Sequence, residues 1–351
     1  MDDSTAVTPD TLADWRRAVA HERSPVQLLA TRARNQLSTA AREEYDLARI
    51  EEINGPMLLP TPQVQRLKKH VQRMTYLAKG AQHTARQGFA LSGSQRMGKS
   101  TAALYLGREH ERSVRARTGI HDGSIAPVLY VSTPAESSPK QLMTAFSRTL
   151  GLPTPANSAT TDRIMDQVVE LMREDLKTSM VILDEIQNLR TRAAAGMAAA
   201  NMLKTFTERI PALFLYVGVG VGSSDILSGP MSAQMQGRIN VFEMAPYNVG
   251  SAEGRADWEN IIMQFEKEFP LVEHEVGVLA DAAGWLYDAT GGVIGRLRFL
   301  LRYAQVDAIL DGVEHVSARR VREVPLDFLA AQERKERVAG QHPPTSVSGA
   351  A

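Results

Sequence analysis

The chain has 351 residues, enough for one large or two modest domains with a hydrophobic core, and carries 40 basic and 40 acidic side chains. That zero net charge excludes a global basic field of the kind that by itself signals nucleic-acid binding, so any such contact must come from local patches. The lack of cysteine excludes disulfides and thiolate metal sites, and the eight histidines show no H-E-x-x-H-like spacing.

The start, Met1-Asp2-Asp3-Ser4, is acidic, the wrong sign for a secretory signal. Residues 1–60 hold short helical patterns, among them Trp15-Arg16-Arg17-Ala18-Val19 and 42–50, and end in the breakers Asn54-Gly55-Pro56 and Pro60-Thr61-Pro62. They are expected to form a helical N-terminal region of their own, available for partner contacts. Val64, Leu67, Val71, Met74 and Leu77 recur at three- and four-residue spacing and predict an amphipathic helix. Short apolar strands are predicted at 87–92, Val128–Ser132, 180–183, Leu213–Val217 and 239–242, with helices between them. Such a pattern predicts an α/β core over 61–247, a parallel sheet covered on both faces.

The longest apolar run, 210–222, is too short and glycine-rich to span a bilayer, so the chain is expected to be cytoplasmic, with no membrane contact. Beyond Asn248 the strands stop. Trp258, Ile261, Ile262, Phe265 and Phe269 mark one helix, 278–287 a second, and Ile294–Leu310 a third that stops at Asp311-Gly312. Ser317 is placed to cap a fourth. These form an expected helical lid over 248–330, and the polar stretch 331–351, with Pro343-Pro344, is expected to be a disordered tail.

Between the first core strand and its helix lies Gly93-Ser94-Gln95-Arg96-Met97-Gly98-Lys99-Ser100, which fits G-x-x-x-x-G-K-[ST]. The glycines let the loop turn so that successive N–H groups face a β-phosphate, and the helix N-terminus beginning around Thr101 adds its positive field. Lys99 would reach the β- and γ-phosphates, and the Ser100 hydroxyl would complete the shell of a Mg²⁺ ion. The second motif is Met180-Val181-Ile182-Leu183-Asp184-Glu185, a buried strand that delivers two carboxylates to the sheet's C-terminal edge. Asp184 would hold Mg²⁺ and Glu185 would polarise the attacking water. No N-K-x-D guanine motif is present, which favours ATP over GTP.

Four further residues are candidates. Ser223, in Gly218-Val219-Gly220-Val221-Gly222-Ser223-Ser224, could set a hydroxyl near the γ-phosphate, although a flexible glycine loop explains the run equally well. Arg238, just before the last strand, could reach a neighbouring subunit's nucleotide, with a surface salt bridge as the plainer alternative. Arg296 and Arg298 open the third lid helix, and one of them could touch the γ-phosphate; Arg298 has the better G-x-x-R spacing.

Together these residues resemble AAA+ ATPases, and more closely the TniB/TnsC-type transposition regulators, over roughly 53–324. The resemblance rests on Leu59-Pro60-Thr61-Pro62, the phosphate loop, and Leu183-Asp184-Glu185-Ile186-Gln187-Asn188-Leu189. In that last run Gln187 stands where those regulators carry histidine in D-E-x-H-N-L. Val219-Gly220-Val221-Gly222-Ser223 is similar to their V-G-x-G-T strand end, with serine for threonine. Gly291-Gly292-Val293-Ile294-Gly295 with Leu300-Leu301-Arg302-Tyr303-Ala304 is similar to their lid signature. The resemblance implies an ATP-dependent homo-oligomer, ring or filament, that engages duplex DNA and delivers the target site to a transposase.

Two basic segments are local candidates for DNA contact: Arg108, Arg112, Arg115 and Arg117, and Lys68, Lys69 and Arg73. A solvated helix face is the simpler reading of either. Two alternatives stay open, a replication initiator or helicase loader of the same superfamily and a nucleotide-gated signalling switch that binds protein. The short stretch after Leu310 leaves little room for an initiator-type winged helix.

Overall fold

A computed structural model describes residues 9–20, 25–80, 88–189, 193–221 and 239–341. Among them the chain divides into two compact units, one of 9–20 with 60–244 and the other of 25–59 with 245–341.

The first unit is built on a five-stranded parallel sheet of β1 (Gly88–Ser92), β2 (Val128–Ser132), β3 (Met180–Asp184), β4 (Leu213–Val217) and β5 (Ile239–Glu243). The spatial order is β2-β3-β4-β1-β5. Each of the first four strands is buried along its whole length or nearly so, which is why each reads as a continuous apolar run rather than an alternation. One face packs against α6 (Pro139–Thr149), α7 (Thr161–Glu170) and α8 (Ala193–Arg209), where Leu129, Val181 and Phe214 meet Phe146, Val168 and Phe206. Phe206 sits edge-on to both Phe146 and Phe214, at 4.8 and 5.8 Å between ring centres.

The opposite face is covered by α1 (Leu12–Ala20), α4 (Pro62–Gly80) and α5 (Lys99–Thr118). Trp15 of α1 is 1% exposed; it stacks on Tyr130 at 6.1 Å and donates its indole N–H to Glu111 of α5. His70 of α4 lies 5.1 Å from the Phe89 ring of β1.

The second unit is helical. It contains α2 (Thr31–Asn35), α3 (Thr39–Asn54), α9 (Ala252–Glu266), α10 (Ala283–Thr290), α11 (Ile294–Leu310), α12 (Ala318–Glu323) and α13 (Phe328–Gln341). Trp258, Ile262, Leu286, Leu297, Leu301 and Val321 form its core, joined by Ile53 from α3. Ser317 caps α12 by accepting from the Arg320 N–H, as its position implied.

Three expectations change. The first 60 residues are not one region: α1 packs on the sheet through Trp15, whereas α2 and α3 belong to the helical unit. A buried ion network holds them there. Arg49, fully buried, donates to Glu314 at 2.7 Å and to Asp46 at 2.6 Å, and Arg34 also pairs with Asp46. Nor is 331–351 wholly a tail, because 331–341 continue α13. Asp327 accepts from the Ala330 N–H at its start, Glu333 pairs with Arg296, and the Arg334 guanidinium lies 5.3 Å over the Trp285 ring. Residues 342–351 lie outside the described residues. The second lid helix also starts later than expected, as a 3₁₀ turn at Ala280–Ala282 running into α10.

Candidate nucleotide-binding site

All five strands run in the same direction, so the ends of β1, β3 and β4 open on one edge of the sheet. The phosphate loop leaves β1 there. Gly93, at φ 149°, has no room for a side chain, because a Cβ would stand 2.5 Å from the carbonyl oxygen of Met244 just beyond β5. Arg96 is left-handed at φ 62°, and Gly98, left-handed at φ 81°, leads directly into α5. No side chain caps that helix start, so the amides of its first turn remain available to an anion. Met97 anchors the loop in the core at 1% exposure.

Lys99 folds back over the loop and donates to the Ser94 carbonyl at 2.6 Å. Burial pushes its ammonium below the ordinary lysine value, and the carboxylates of Glu185, Asp184 and Glu243 work against that push. The structure thus brings the loop lysine and both acids of the second motif into one electrostatic neighbourhood. Ser100 and Thr101 follow on the first turn of α5, both half-buried.

Asp184 closes β3 and is 4% exposed. Its Oδ1 accepts from the Glu185 N–H at 2.8 Å, and its Oδ2 accepts from the Tyr130 hydroxyl of β2. Glu185 is left-handed at φ 55° and turns out of the strand into a 3₁₀ turn at Ile186–Asn188. The Gln187 side chain donates to the Glu185 carboxylate and accepts from the Val219 N–H at 3.1 Å. Neither Tyr130 nor Gln187 was singled out as a site residue by the sequence. A tyrosine in an apolar buried strand does carry a signal, because its hydroxyl needs a partner.

Ser223 and Arg238 lie outside the described residues. Arg296 and Arg298 belong to the helical unit. Arg296 is 7% exposed and forms a two-bond pair with Glu333, while Arg298 donates to the Gly55 carbonyl. Of the two basic segments, the first is largely occupied. Arg115 binds Glu111 and the carbonyls of Ile120, Asp122 and Ile125, and Arg112 donates to the Val19 carbonyl. In the second, Lys68 pairs with Glu109. Lys69 and Arg73 are exposed, and Arg66, overlooked in the sequence, joins them on the same face of α4.

The family model described as "Bacterial TniB protein" matches residues 49–248, more than half of the chain. The chain belongs to the TniB family. Its fold is that of the AAA+ P-loop ATPases. The Aeropyrum pernix ORC2 protein in ADPNP–ADP complexes superposes with a TM-score of 0.56 at 16% identity, covering 78% of this chain and 70% of that one. The Aeropyrum pernix ORC1 protein in complex with DNA gives 0.54 at 16% identity, over 93% and 71% of the two chains. Cdc6p from Pyrobaculum aerophilum gives 0.52 at 14% identity, over 83% and 84%. No curated protein matches the chain. Among the described residues, no helix of this TniB-family chain is long and apolar enough to cross a membrane.

Proposed function

We propose that this TniB-family protein is a cytoplasmic ATPase that assembles with copies of itself on duplex DNA and delivers that DNA to a transposase. The observation that carries the nucleotide half is the convergence of Lys99, Asp184 and Glu185 at one edge of the sheet, beside a helix start that no side chain caps. These groups fit ATP with Mg²⁺. The uncapped amides and Lys99 suit its phosphates, and the buried Asp184 carboxylate suits a cation that keeps most of its ligands from water and phosphate.

Bound Mg²⁺ would neutralise charge on the β- and γ-phosphates. Ser100 and Asp184 would hold it. Lys99 would exchange the Ser94 carbonyl for phosphate oxygens, regaining a full charge partner for an ammonium that burial disfavours. Glu185 would accept a hydrogen bond from the attacking water and take up its proton as the water oxygen bonds to the γ-phosphorus and the bond from that phosphorus to the β–γ bridging oxygen breaks, releasing ADP. Ser223 and Arg238 keep their proposed roles beside the γ-phosphate and across a subunit contact. Of Arg296 and Arg298, we assign phosphate sensing to Arg298, which has the better G-x-x-R spacing.

The DNA half is supported by the family and by one face of α4. That helix contains no acidic residue, and Arg66, Lys69 and Arg73 stand exposed at three- and four-residue spacing, with no ion pair among the described residues. Seven residues of helix rise about 10 Å, roughly three base-pair steps of a duplex strand. The test is duplex binding with ATP across a salt series. Changing Arg66, Lys69 and Arg73 together to glutamine should lower the log–log salt slope by about 2–3. A parent chain that hydrolyses ATP yet binds no duplex would remove the DNA half.

A further inference from the structure

The turn that follows Glu185 is tied to both strands flanking β3. On the β2 side, the Asn188 amide donates to the Thr133 carbonyl at 3.1 Å, and the Ser137 N–H donates to the Asn188 carbonyl at 3.0 Å. On the β4 side, Gln187 makes the connection. Its carbonyl oxygen accepts from the Val219 N–H at 3.1 Å while its amide nitrogen donates to Glu185 Oε2.

We propose that Gln187 is a positioning residue, which holds the Glu185 carboxylate in place and couples it to the exit of β4. The inference rests on the reading of Glu185 as the group that polarises the attacking water. Three observations support it.

The amide has one workable orientation. The Val219 N–H needs an acceptor and the carboxylate needs a donor, so only the oxygen toward β4 and the nitrogen toward Glu185 satisfy both. The backbone of β4's exit is shaped around this side chain. A Cβ on Gly218 would stand 2.2 Å from Gln187 Oε1, so a residue larger than glycine there would drive the amide off its partners. Glu185 itself sits in the left-handed region, a conformation that persists only where the surroundings over-determine it. Its backbone is held by Asp184 and Asn188, and among the described residues its carboxylate accepts from Gln187. Gly218 in turn donates to the Leu91 carbonyl of β1, the strand that delivers the phosphate loop. A displacement of β4's exit is therefore felt at both the loop strand and the glutamate.

The experiment compares Gln187→Met and Gln187→His with the parent chain, measuring kcat and KM for ATP from pH 6 to 8.5. Methionine keeps the length and volume but neither bond. It should lower kcat by about ten- to a hundred-fold while KM stays within about two-fold. A neutral imidazole offers one donor and one acceptor and can replace both bonds, whereas an imidazolium cannot accept from Val219. The histidine variant should therefore keep most of kcat at pH 8 and lose it as pH falls through roughly 6.5, an inflection the parent lacks. The charged groups on this edge, Asp184, Glu185, Lys99 and Glu243, are common to all three proteins. Parental kcat in Gln187→Met would overturn the positioning role. So would equal losses in both variants at every pH, which a purely structural glutamine would produce, or a histidine variant active without a pH step. A parent chain that hydrolyses no ATP would instead overturn the reading of Glu185 itself.

Discussion

Tyr130 of β2 donates its hydroxyl hydrogen to Oδ2 of Asp184, across the strand pair whose register sets Ser132 beside Asp184. Burial, with the Asp184 charge behind it, drives the phenol far above its ordinary value, so it remains a protonated donor at every working pH. The carboxylate proposed to hold Mg²⁺ is thus fixed from a neighbouring strand by a group with no other chemical task. Tyr130 is steadied in turn by its stack on Trp15.

Tyr130→Phe should keep that stack but leave Asp184 short of one of its two donors. A buried acceptor deprived of a partner costs about 1–3 kcal/mol, which urea unfolding without nucleotide would register. The Mg²⁺ dependence of ATP binding should weaken as well, because the carboxylate is no longer held in one orientation. An unchanged unfolding midpoint would show that Asp184 needs no help from β2.

Lys99→Met removes an ammonium whose protonation burial opposes. A lysine with a lowered value in the folded state makes the folded protein less stable, not more, at every pH where it stays charged. The nucleotide-free variant should therefore melt at the parental temperature or above it, while the rise in Tm that ATP with Mg²⁺ produces in the parent disappears. A lower melting temperature without nucleotide would mean that the bond to Ser94 outweighs the cost of burial.

Glu185→Gln keeps the shape and the acceptor for Gln187 but removes the charge that polarises water. ATP should bind and stay bound, and the variant should accumulate on duplex DNA and resist release. Asp184→Asn should instead weaken the metal site and reduce assembly. Retention on DNA with ATP, measured for both, separates the roles, and parental hydrolysis by Glu185→Gln would remove it from the reaction.

Acid should loosen the helical unit in a defined way. Burial opposes ionisation of Asp46, but its bonds from Arg34 and Arg49 outweigh that and hold it below the ordinary 3.8. Glu266 is likewise buried, yet the contact with His274 and the N–H groups of Leu279 and Gly277 hold it below the ordinary 4.5. A carboxyl lowered in the folded state contributes stability that is present above its unfolded value and is lost as pH falls toward the folded one. The loss should therefore fall at roughly pH 5 to 3. Fluorescence of Trp258 and Trp285 in a Trp15→Phe background would report it, and Asp46→Asn should flatten the curve. An equally steep loss in that variant would place the acid sensitivity elsewhere.

The geometry of the candidate nucleotide site is largely legible in the sequence because its signals are local. The loop 93–100 needs glycine where its backbone approaches β5's exit, and a lysine at the helix start. Asp184 and Glu185 announce themselves by ending an apolar run. Less was legible at 331–341, where polarity reads as disorder, although Ala, Gln, Glu, Lys and Arg are also strong helix formers. What decides between the two readings is a partner, and Arg296 and Trp285 are partners no window of sequence reveals.

The sequence by itself determined the strands, each nearly to the residue, the long helix Ile294–Leu310, the Ser317 cap and the glycine-bounded turn 93–98 between β1 and α5. Periodicity, capping and glycine chemistry act within a few residues, so they can be read without the fold. Only the tertiary structure decided the strand order, the division of the first 60 residues between two units, and the side chains that hold the two acids. Tyr130 meets Asp184 from 54 residues away, and Gln187 meets Val219 across 32. Those meetings depend on which strands lie side by side, and the long-range packing of the sheet sets that.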